Sequence, residues 1–484
     1  MRLHIKNIFL MLFFVSYSNI FTLGKLEEIE TQMWITAPDE GKYLEEIEIP
    51  ALTDEADFYI NIDENKSYQK IDGFGASMTE SSAYVLSSLP DKERNSLMRE
   101  LFDPDKGLGI SLLRQPMGAP DFALSLYTYD DTQDNSDDFE LAHFSIERDR
   151  EYIIPLLKQA IEINPGLRIM ASPWSPPAWM KTGKSLIGSE GGRLRSDCYQ
   201  VYADYFVKFI QAYQNEGIKI TAVTPQNEIE YAPSLYTGML MSAEEQAEFI
   251  STYLAPAFIS AGLNVKIFCY DHNWDGIETV KSILSHDSAR NNIYGVAWHH
   301  YGGSPEAMSE IAKIYRDKIM WVTEAGNGRW IWGGSFSGTF REGMREAVDV
   351  FRNYTSALIL WNIALDQNNG PIVFTNNANY GLVEIEVDSA SQKGSIKEKK
   401  SGWYFLGHFS KFVKTGAVRI DSNDRAGRFF NHVAFKNPDG SIVVVLFNPL
   451  FTSQKGIISI KGNKIPVDMP AGAGISIFVK PFEK

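Results

Sequence analysis

The sequence predicts an α/β protein, a (β/α)8 TIM barrel with an attached antiparallel β-sandwich domain. Short apolar runs alternate with longer helical patterns between residues 66 and 413, and eight such runs can be counted. Repeated strand–helix units favour a parallel sheet, and eight of them favour a closed barrel over an open doubly wound sheet. After residue 414 the pattern changes to short strands separated by turns, which indicates the second domain.

The eight predicted barrel strands are nearly continuous apolar runs, as expected for parallel strands buried on both faces. They cover residues 71–78, 109–117, 167–174, 218–226, 265–270, 293–300, 319–323 and 357–363. Amphipathic helices are predicted between them, for example over residues 199–214 and 244–261. Ser242 and Glu245 form a capping-box pattern, which predicts where the second of these helices begins.

The predicted β-sandwich combines residues 40–65 with residues 414–484. In the C-terminal part, strands are predicted at 418–420, 432–435, 441–447, 457–460 and 474–479. Turn sequences such as Pro438-Asp439-Gly440 separate them, which is typical of antiparallel sheets. The stretch 42–62 precedes the barrel, is also strand-like, and is expected to join the same sheets.

Composition and charge limit the classes of partner. The 484 residues include 46 Lys and Arg against 61 Asp and Glu, a formal net charge of −15. This charge repels phosphate backbones and anionic membranes, so nucleic acid is not an expected partner, whereas a neutral substrate is indifferent to it. Cys198 and Cys269 allow one disulfide at most, and two buried thiols are the favoured interpretation.

The first 18 residues are predicted to be a signal peptide. Arg2, His4 and Lys6 form a basic start, and residues 8–15 are an apolar run too short to span a bilayer comfortably. Small residues follow at Ser16 and Ser18, with the spacing of a cleavage site. We therefore expect a secreted or periplasmic protein without stable membrane insertion.

Two glutamates stand where predicted barrel strands end. Strand four ends at Asn227 and Glu228, and strand seven ends at Glu324. Active sites of such barrels lie at the carboxyl ends of the strands, and strands four and seven are nearly opposite, so the two carboxylates can meet across the barrel mouth. Either glutamate alone could instead cap a helix or form a salt bridge.

A facing pair of carboxylates is what glycoside hydrolysis requires. One must hold a proton for the departing oxygen, and the other must stay ionised to attack the anomeric carbon. Glu228 is the candidate for the protonated group and Glu324 for the ionised one. Asn227 could hydrogen-bond the sugar 2-hydroxyl, a contact that tightens in the transition state.

The motifs resemble those of glycoside hydrolase family 30, the glucosylceramidase-like retaining β-glycosidases. The matching segments are GFGASMT at 73–79, LRQPM at 113–117, DF at 121–122, YTYD at 127–130, ASPWSPPAWMK at 171–181, NE at 227–228, HHY at 299–301, TE at 323–324, WN at 361–362 and GHFSKF at 407–412. The resemblance extends from about residue 68 to the end of the chain. Its most specific parts are the double-proline tryptophan segment and the helix at 407–412.

The resemblance implies hydrolysis by double displacement, with Glu228 as acid/base and Glu324 as nucleophile. It implies β-glucoside substrates, either a glycolipid such as glucosylceramide or a β-1,6-glucan cleaved internally. Hydrolysis of β-xylosides or β-fucosides is the alternative within the family, and a non-catalytic carbohydrate-binding protein is a remote one. Neither a cofactor nor a metal is expected.

The resemblance also implies roles for five further residues. Asp121, Trp174 and Trp361 stand at positions that contact the sugar in the first subsite. Arg114 stands where an arginine orients the carboxylates, and Tyr301 where a tyrosine neighbours the nucleophile. Each of these has a structural alternative, because tryptophans can be core residues, Arg114 can be an ion-pair partner and Asp121 can be a turn residue.

One segment departs from the family pattern. The family commonly has proline after the acid/base, whereas this chain has Ile229 followed by Glu230. We therefore expect residues 229–241 to follow a different path and to reshape the aglycone side of the site. The sequence leaves open whether the carboxylate of Glu230 joins the site.

A metal-dependent hydrolase is a rival interpretation. His299-His300 and Asp271-His272 are candidate zinc ligands at strand ends. A barrel amidohydrolase, however, needs a histidine pair after strand one, and that strand ends here in Ala76-Ser77-Met78. A dinucleotide site at Gly73-Phe74-Gly75 is disfavoured because the third glycine of the motif is missing.

Overall fold

The computed structural model of the protein describes residues 30–52, 55–374, 378–423 and 431–481, so the predicted signal peptide lies outside the described residues. Eight parallel strands close into a barrel in which strand eight pairs with strand one. In chain order they are Gly73–Ser77, Leu112–Met117, Arg168–Pro173, Ile220–Val223, Lys266–Asn273, Ile293–His299, Ile319–Ala325 and Thr355–Leu360. Each overlaps one predicted strand, and the predicted barrel is confirmed.

Helices follow the barrel strands along the chain. The α-helices of the described residues are Glu80–Ser87, Asp91–Phe102, Ile153–Ile163, Gly188–Gly191, Tyr199–Asn215, Ala243–Glu248, Ala255–Ser260, Ile277–Ser285, Asp287–Arg290, Glu306–Ile314, Phe336–Arg352 and Ser401–Ser410. A π-helical turn, Phe249–Leu254, joins two of them into the long helix predicted after Ser242. The predicted capping box is present, with the Glu245 amide donating to the Ser242 hydroxyl at 3.2 Å.

The second domain is a nine-stranded sheet. Its order is Asn463–Met469, Gln454–Ile460, Phe58–Lys70, Val418–Ser422, Asn431–Lys436, Ile442–Phe447, Gly474–Val479, Thr31–Ala37 and Lys42–Ile47. All neighbours are antiparallel except Phe58–Lys70 and Gln454–Ile460, which run parallel. Thr31–Ala37 lies before the predicted boundary at residue 40. It belongs to the sheet because its alternate side chains, such as Met33 and Ile35, are buried in the sheet's own apolar cluster.

The two domains share a buried contact. Helix Ser401–Ser410 lies between them, and the His408 ring bonds to the Ser476 and Thr36 hydroxyls at 2.8 and 2.9 Å. Phe409 and Phe435 belong to the large hydrophobic cluster that also contains the barrel helices. The β-sheet domain is therefore packed directly against the barrel.

Apolar side chains fill the barrel interior below the site. Leu112, Met170, Phe268 and Trp321 are fully buried there and form a separate cluster with small neighbours. Side chains therefore pack the barrel interior completely at this depth, and polar groups can gather at the carboxyl ends of the strands. Cys198 and Cys269 are both buried free thiols, as predicted.

A small three-stranded sheet follows barrel strand eight. It consists of Ala364–Asp366, Val383–Val387 and Gly394–Lys399.

Within the four described segments of the chain, no helix has both the length and the apolar character needed to cross a membrane.

Candidate active site

Glu228 and Glu324 meet at the carboxyl end of the barrel. Glu324 is the penultimate residue of strand seven, and Glu228 lies in the loop after strand four. A carboxylate oxygen of each lies within 4.8 Å of the other and of a His299 ring nitrogen. The Glu228 backbone has φ of 50°, a left-handed conformation that is uncommon outside glycine and often occurs at functional sites. Its amide donates to the Asp271 carbonyl at 2.8 Å, which supports this conformation.

Arg114 is the central cation of the site. Its fully buried guanidinium donates to Oε2 of Glu324, to Oδ2 of Asp271 at 2.9 Å and to Oδ1 of Asn227 at 2.7 Å. A buried charge is stable only when it is paired and hydrogen-bonded, and two carboxylates supply that pairing here. Arg114 thereby holds the carboxylate of Glu324 and the side-chain amide of Asn227 in fixed positions relative to each other.

Asp271 is a buried carboxylate with several hydrogen-bond partners. The sequence suggested it only as a candidate metal ligand. Besides Arg114, it accepts hydrogen bonds from Ser172 and Thr224 at 2.7 Å and from Thr323 at 2.6 Å. Burial by itself would raise the pKa of Asp271, but the Arg114 charge and the hydrogen bond from His299 hold that pKa well below its ordinary value. Asp271 is therefore an anion that Arg114 and His299 link to Glu324 and Glu228.

His299 connects this anion to Glu228. Its Nε2 lies 3.1 Å from Oδ1 of Asp271, and its Nδ1 lies 3.2 Å from Oε1 of Glu228. Burial lowers the pKa of His299, but the charge of Glu324 and the bonds to Asp271 and Glu228 outweigh it and raise this pKa to about 9. Burial likewise raises the pKa of Glu228, yet the hydrogen bond and charge of His299 leave it below its ordinary value.

One proton is therefore shared between Glu228 and His299. Nδ1 of His299 faces Oε1 of Glu228, so one proton can pass between the ring and the carboxylate. The raised pKa of His299 and the lowered pKa of Glu228 favour this proton on the imidazole, whereas the sequence led us to expect it on Glu228 itself. The difference arises from the buried anions around His299, which the sequence does not place.

Glu324 has both oxygens bonded within the protein. Oε1 accepts the Tyr301 hydroxyl at 2.9 Å, and Oε2 accepts Arg114. Desolvation in the cleft and the Glu324 charge raise the pKa of Tyr301 well above its usual range, so its phenol stays a neutral donor. These two bonds aim Glu324 into the cavity.

Two buried tryptophans line the cavity. Trp174 and Trp361 stack with ring centroids 5.2 Å apart, and Arg114 lies 4.7 Å from the Trp174 ring. Asp121 lies in the same wall, and burial together with the charge of Glu324 raises its pKa well above the ordinary value. The structure thus brings every predicted site residue to one cavity or to its immediate support.

The cavity has a volume of about 1280 Å³ and extends well beyond Glu228 and Glu324. The lining residues that the sequence did not single out include Tyr236, Asn273, Trp330, Trp332, Glu342 and Asp349. They come from the loops after strands four and seven, from the end of strand five and from helix Phe336–Arg352. Exposed aromatics such as Trp330 and Trp332 carry no sequence signal of their own, because apolar residues are expected in the core.

Glu230 does not join Glu228 and Glu324 in the cavity. Its carboxylate accepts hydrogen bonds from Tyr270 at 3.1 Å and from Thr279 at 2.5 Å, and it is absent from the cavity lining. The departure from the family pattern at Ile229 therefore adds no second carboxylate beside Glu228 in the cavity.

Glu228, His299 and Glu324 also have the spacing of a possible cation site. Their donor atoms are already committed, however, because Glu324 bonds to Arg114 and Tyr301 and His299 bonds to Asp271. His300, the other candidate ligand, accepts the Gly326 amide at 2.7 Å through Nε2. The possible metal-ligand atoms of Glu324 and His299 are therefore engaged in ion pairs and hydrogen bonds.

Comparisons with known proteins agree with this arrangement. The model of the glycosyl hydrolase family 30 TIM-barrel domain matches residues 71–413, and that of the family 30 beta sandwich domain matches residues 416–477. The lysosomal acid glucosylceramidase of Mus musculus is 30% identical over 413 residues, which cover 80% of this chain and 77% of that protein.

Endo-1,6-beta-D-glucanase of Neurospora crassa is 30% identical over 434 residues, which cover 86% of this chain and 84% of that protein. A solved endo-beta1,6-glucanase superimposes with a TM-score of 0.84 at 32% identity and covers 94% of this chain and all of that one. This chain therefore belongs to glycoside hydrolase family 30 and is an O-glycoside hydrolase.

Proposed function

We propose that this enzyme hydrolyses β-glucosides with retention, using Glu324 as the nucleophile and Glu228 as the acid/base. The spacing of the two carboxylates supports the proposal most directly. Oxygens within 4.8 Å of each other fit the separation of about 5–5.5 Å of retaining enzymes and leave no room for the water that inversion requires. The curated relatives, named as glucosylceramidases and endo-1,6-glucanases, support the β-glucoside class.

In the first step Glu324 attacks the anomeric carbon as the bond to the leaving oxygen breaks. The proton shared by Glu228 and His299 passes through Glu228 to that oxygen. Attack turns the Glu324 carboxylate into a neutral ester, and this removes a charge that favours the imidazolium of His299. The pair is thus prepared to release its proton as the covalent bond forms.

In the second step Glu228 acts as a base. It removes a proton from water, the water oxygen bonds to the anomeric carbon, and the bond to Glu324 breaks. The proton returns to the Glu228–His299 pair, and Arg114 and Tyr301 again bind the free carboxylate. Two inversions at one carbon restore the β configuration.

The buried wall of the cavity beside the two glutamates suits a pyranose. Trp174 and Trp361 offer apolar ring surface there, and Asp121 and Asn227 offer polar groups for hydroxyls. β-Xylosides and β-fucosides would fit the same wall, so a panel of aryl β-glycosides is the assay that ranks the sugars. We expect the glucoside to have the highest kcat/KM.

Azide rescue tests the assignment of the two glutamates. Glu324→Gly should abolish turnover of an aryl β-glucoside, and added azide should restore it with an α-glycosyl azide as the product, because one displacement inverts the carbon. A β-glycosyl azide would mean that the roles are exchanged. The matched control is Glu230→Gln, which changes the neighbouring carboxylate outside the cavity and should retain turnover.

We further propose that the enzyme is exported. The basic start and apolar run of residues 2–15 support this. N-terminal sequencing of the protein recovered outside the cytoplasm should find cleavage near residue 18. Recovery of an intact N-terminus from the cytoplasm would contradict export.

A further inference from the structure

Lys181 is a fully buried lysine in the loop that follows barrel strand three. Its ammonium donates to the Ser175 hydroxyl at 3.0 Å, to the Leu186 carbonyl at 3.3 Å and to the Gly238 carbonyl at 2.7 Å. All three acceptors are uncharged, and burial lowers the pKa of Lys181 to about 7. Burying a lysine costs free energy, and a methionine would fill similar space without that cost. What the lysine adds is therefore its hydrogen bonds.

The three acceptors belong to three different stretches of chain. Ser175 lies in the loop after strand three, Leu186 in the excursion 182–194 and Gly238 in the loop after strand four. Lys181 and Leu194 form an antiparallel bridge at the base of the excursion. One buried ammonium thus connects the excursion and the strand-four loop to the loop after strand three.

The excursion and the strand-four loop also pair with each other. The Gly188 amide donates to the Tyr236 carbonyl at 3.1 Å, and the Gly238 amide donates to the Leu186 carbonyl at 3.1 Å. The Leu186 and Gly238 carbonyls that accept Lys181 belong to the two partners of this pairing. The ammonium therefore fixes the pairing to the strand-three loop.

Tyr236 is the residue that this pairing brings into the cavity. Its ring lines the cavity and packs against the apolar cluster that contains Trp174 and Trp361. Burial, together with the charges of Asp121 and Glu228, raises the pKa of Tyr236 above its usual range, so its phenol stays neutral. Tyr236 therefore belongs to the wall where the pyranose is expected.

We propose that Lys181 is a positioning residue, which fixes the loop after strand four and thereby the place of Tyr236 in the cavity. The proposal rests on the function proposed above and adds to it a residue that acts on the substrate through Tyr236. The three acceptors of Lys181 lie outside the network of Arg114, Asp271 and His299. The reacting carboxylates should therefore keep their geometry when Lys181 is replaced.

The test separates substrate binding from the chemical steps. We expect Lys181→Met to raise the KM of an aryl β-glucoside about fivefold and to change kcat by less than about twofold. A ring in the cavity wall contacts the sugar in the ground state and in the transition state alike, so its displacement weakens both equally. The inhibition constant of glucose should rise by a similar factor, since it reports binding alone.

A double-mutant cycle tests whether Lys181 acts through Tyr236. Tyr236→Ala should raise KM by itself, and Lys181→Met added to it should raise KM by less than about twofold, because the ring that Lys181 positions is already gone. A full fivefold effect of Lys181→Met in the Tyr236→Ala background would show that Lys181 acts elsewhere. It would overturn the proposal.

Lys181→Gln provides the conservative variant. It keeps a shorter amide donor, so its KM should lie between those of the wild type and of Lys181→Met, with kcat retained. If Lys181→Met does not fold, Lys181→Gln carries the test. An unchanged KM in whichever of these variants folds, or a fall in kcat at unchanged KM, would overturn the proposal.

Two control variants separate positioning from general stability. Lys184→Met makes the same substitution at an exposed lysine of the excursion and should keep KM and kcat. His408→Gln weakens buried hydrogen bonds at the domain contact, so it should lower thermal stability without raising KM. A rise in KM in His408→Gln equal to that in Lys181→Met would overturn the positioning role. Wild-type enzyme inactive on every aryl β-glucoside would instead refute the proposed function.

Discussion

The proton shared by Glu228 and His299 makes a sharp prediction for the pH dependence of the reaction. The pKa of His299 rises from 6.5 to about 9, because its buried anionic neighbours favour the imidazolium by more than burial disfavours it, a net effect of about 3 kcal/mol. The free enzyme holds the catalytic proton below this pKa and loses it above. The basic limb of kcat/KM should therefore lie near pH 9, since this limb reports groups of the free enzyme.

Replacing His299 with glutamine removes the imidazole from this pair. The proton must then be held by Glu228 alone, and catalytic acid/base carboxyls are tuned to a pKa of about 6–7, which is below the pKa of about 9 of His299. The basic limb of His299→Gln should move by at least one pH unit toward acid, whatever the loss in maximal rate. Rate profiles on an aryl β-glucoside between pH 4 and 10 measure both quantities.

A control and a clear refutation accompany this experiment. His286→Gln replaces an exposed histidine that does not line the cavity and should keep the basic limb near pH 9. A basic limb in His299→Gln at the same pH as in the wild type would show that His299 does not hold the catalytic proton. A lower rate alone would not distinguish this role from a structural one, so the position of the limb decides.

Two other predictions concern the acid/base and the domain contact. Glu228→Ala should retain the first step on substrates with very good leaving groups, because these leaving groups need little protonation. A pre-steady-state burst with dinitrophenyl β-glucoside should reveal this retained step. Equal inactivity on such substrates would contradict the acid/base assignment. Burial lowers the pKa of His408 to about 3, so this ring stays neutral in the folded protein. As pH falls from about 6.5 toward 3, His408 gains a proton in the unfolded state but not in the folded state. The free energy of unfolding should therefore fall by up to about 1.4 kcal/mol per pH unit because of His408. Urea titrations at several pH values should find a weaker pH dependence in His408→Gln.

Much of the fold and the two central residues could be predicted from the sequence, because they depend on local patterns. A parallel strand buried on both faces is a continuous apolar run wherever it occurs, and eight such runs predicted the barrel. Glu228 and Glu324 follow two of these runs directly, so strand position alone brought them to the barrel mouth. The start of the helix after Ser242 was also local, since its capping box lies within four residues.

Other features depend on which groups meet in space. The sequence suggested Asp271 and His299 as metal ligands, and only the closed barrel shows that Arg114, three hydroxyls and Glu228 surround them. The direction of Glu230 was open for the same reason, because Tyr270 and Thr279 that bind it lie 40 or more residues away.

The sequence by itself determined the strands, the barrel and the two facing glutamates, since each follows from the residue types along a short stretch of chain. Tertiary structure decided where the catalytic proton lies. The reason is electrostatic, because pKa values depend on charges that different strands bring within a few ångströms of each other.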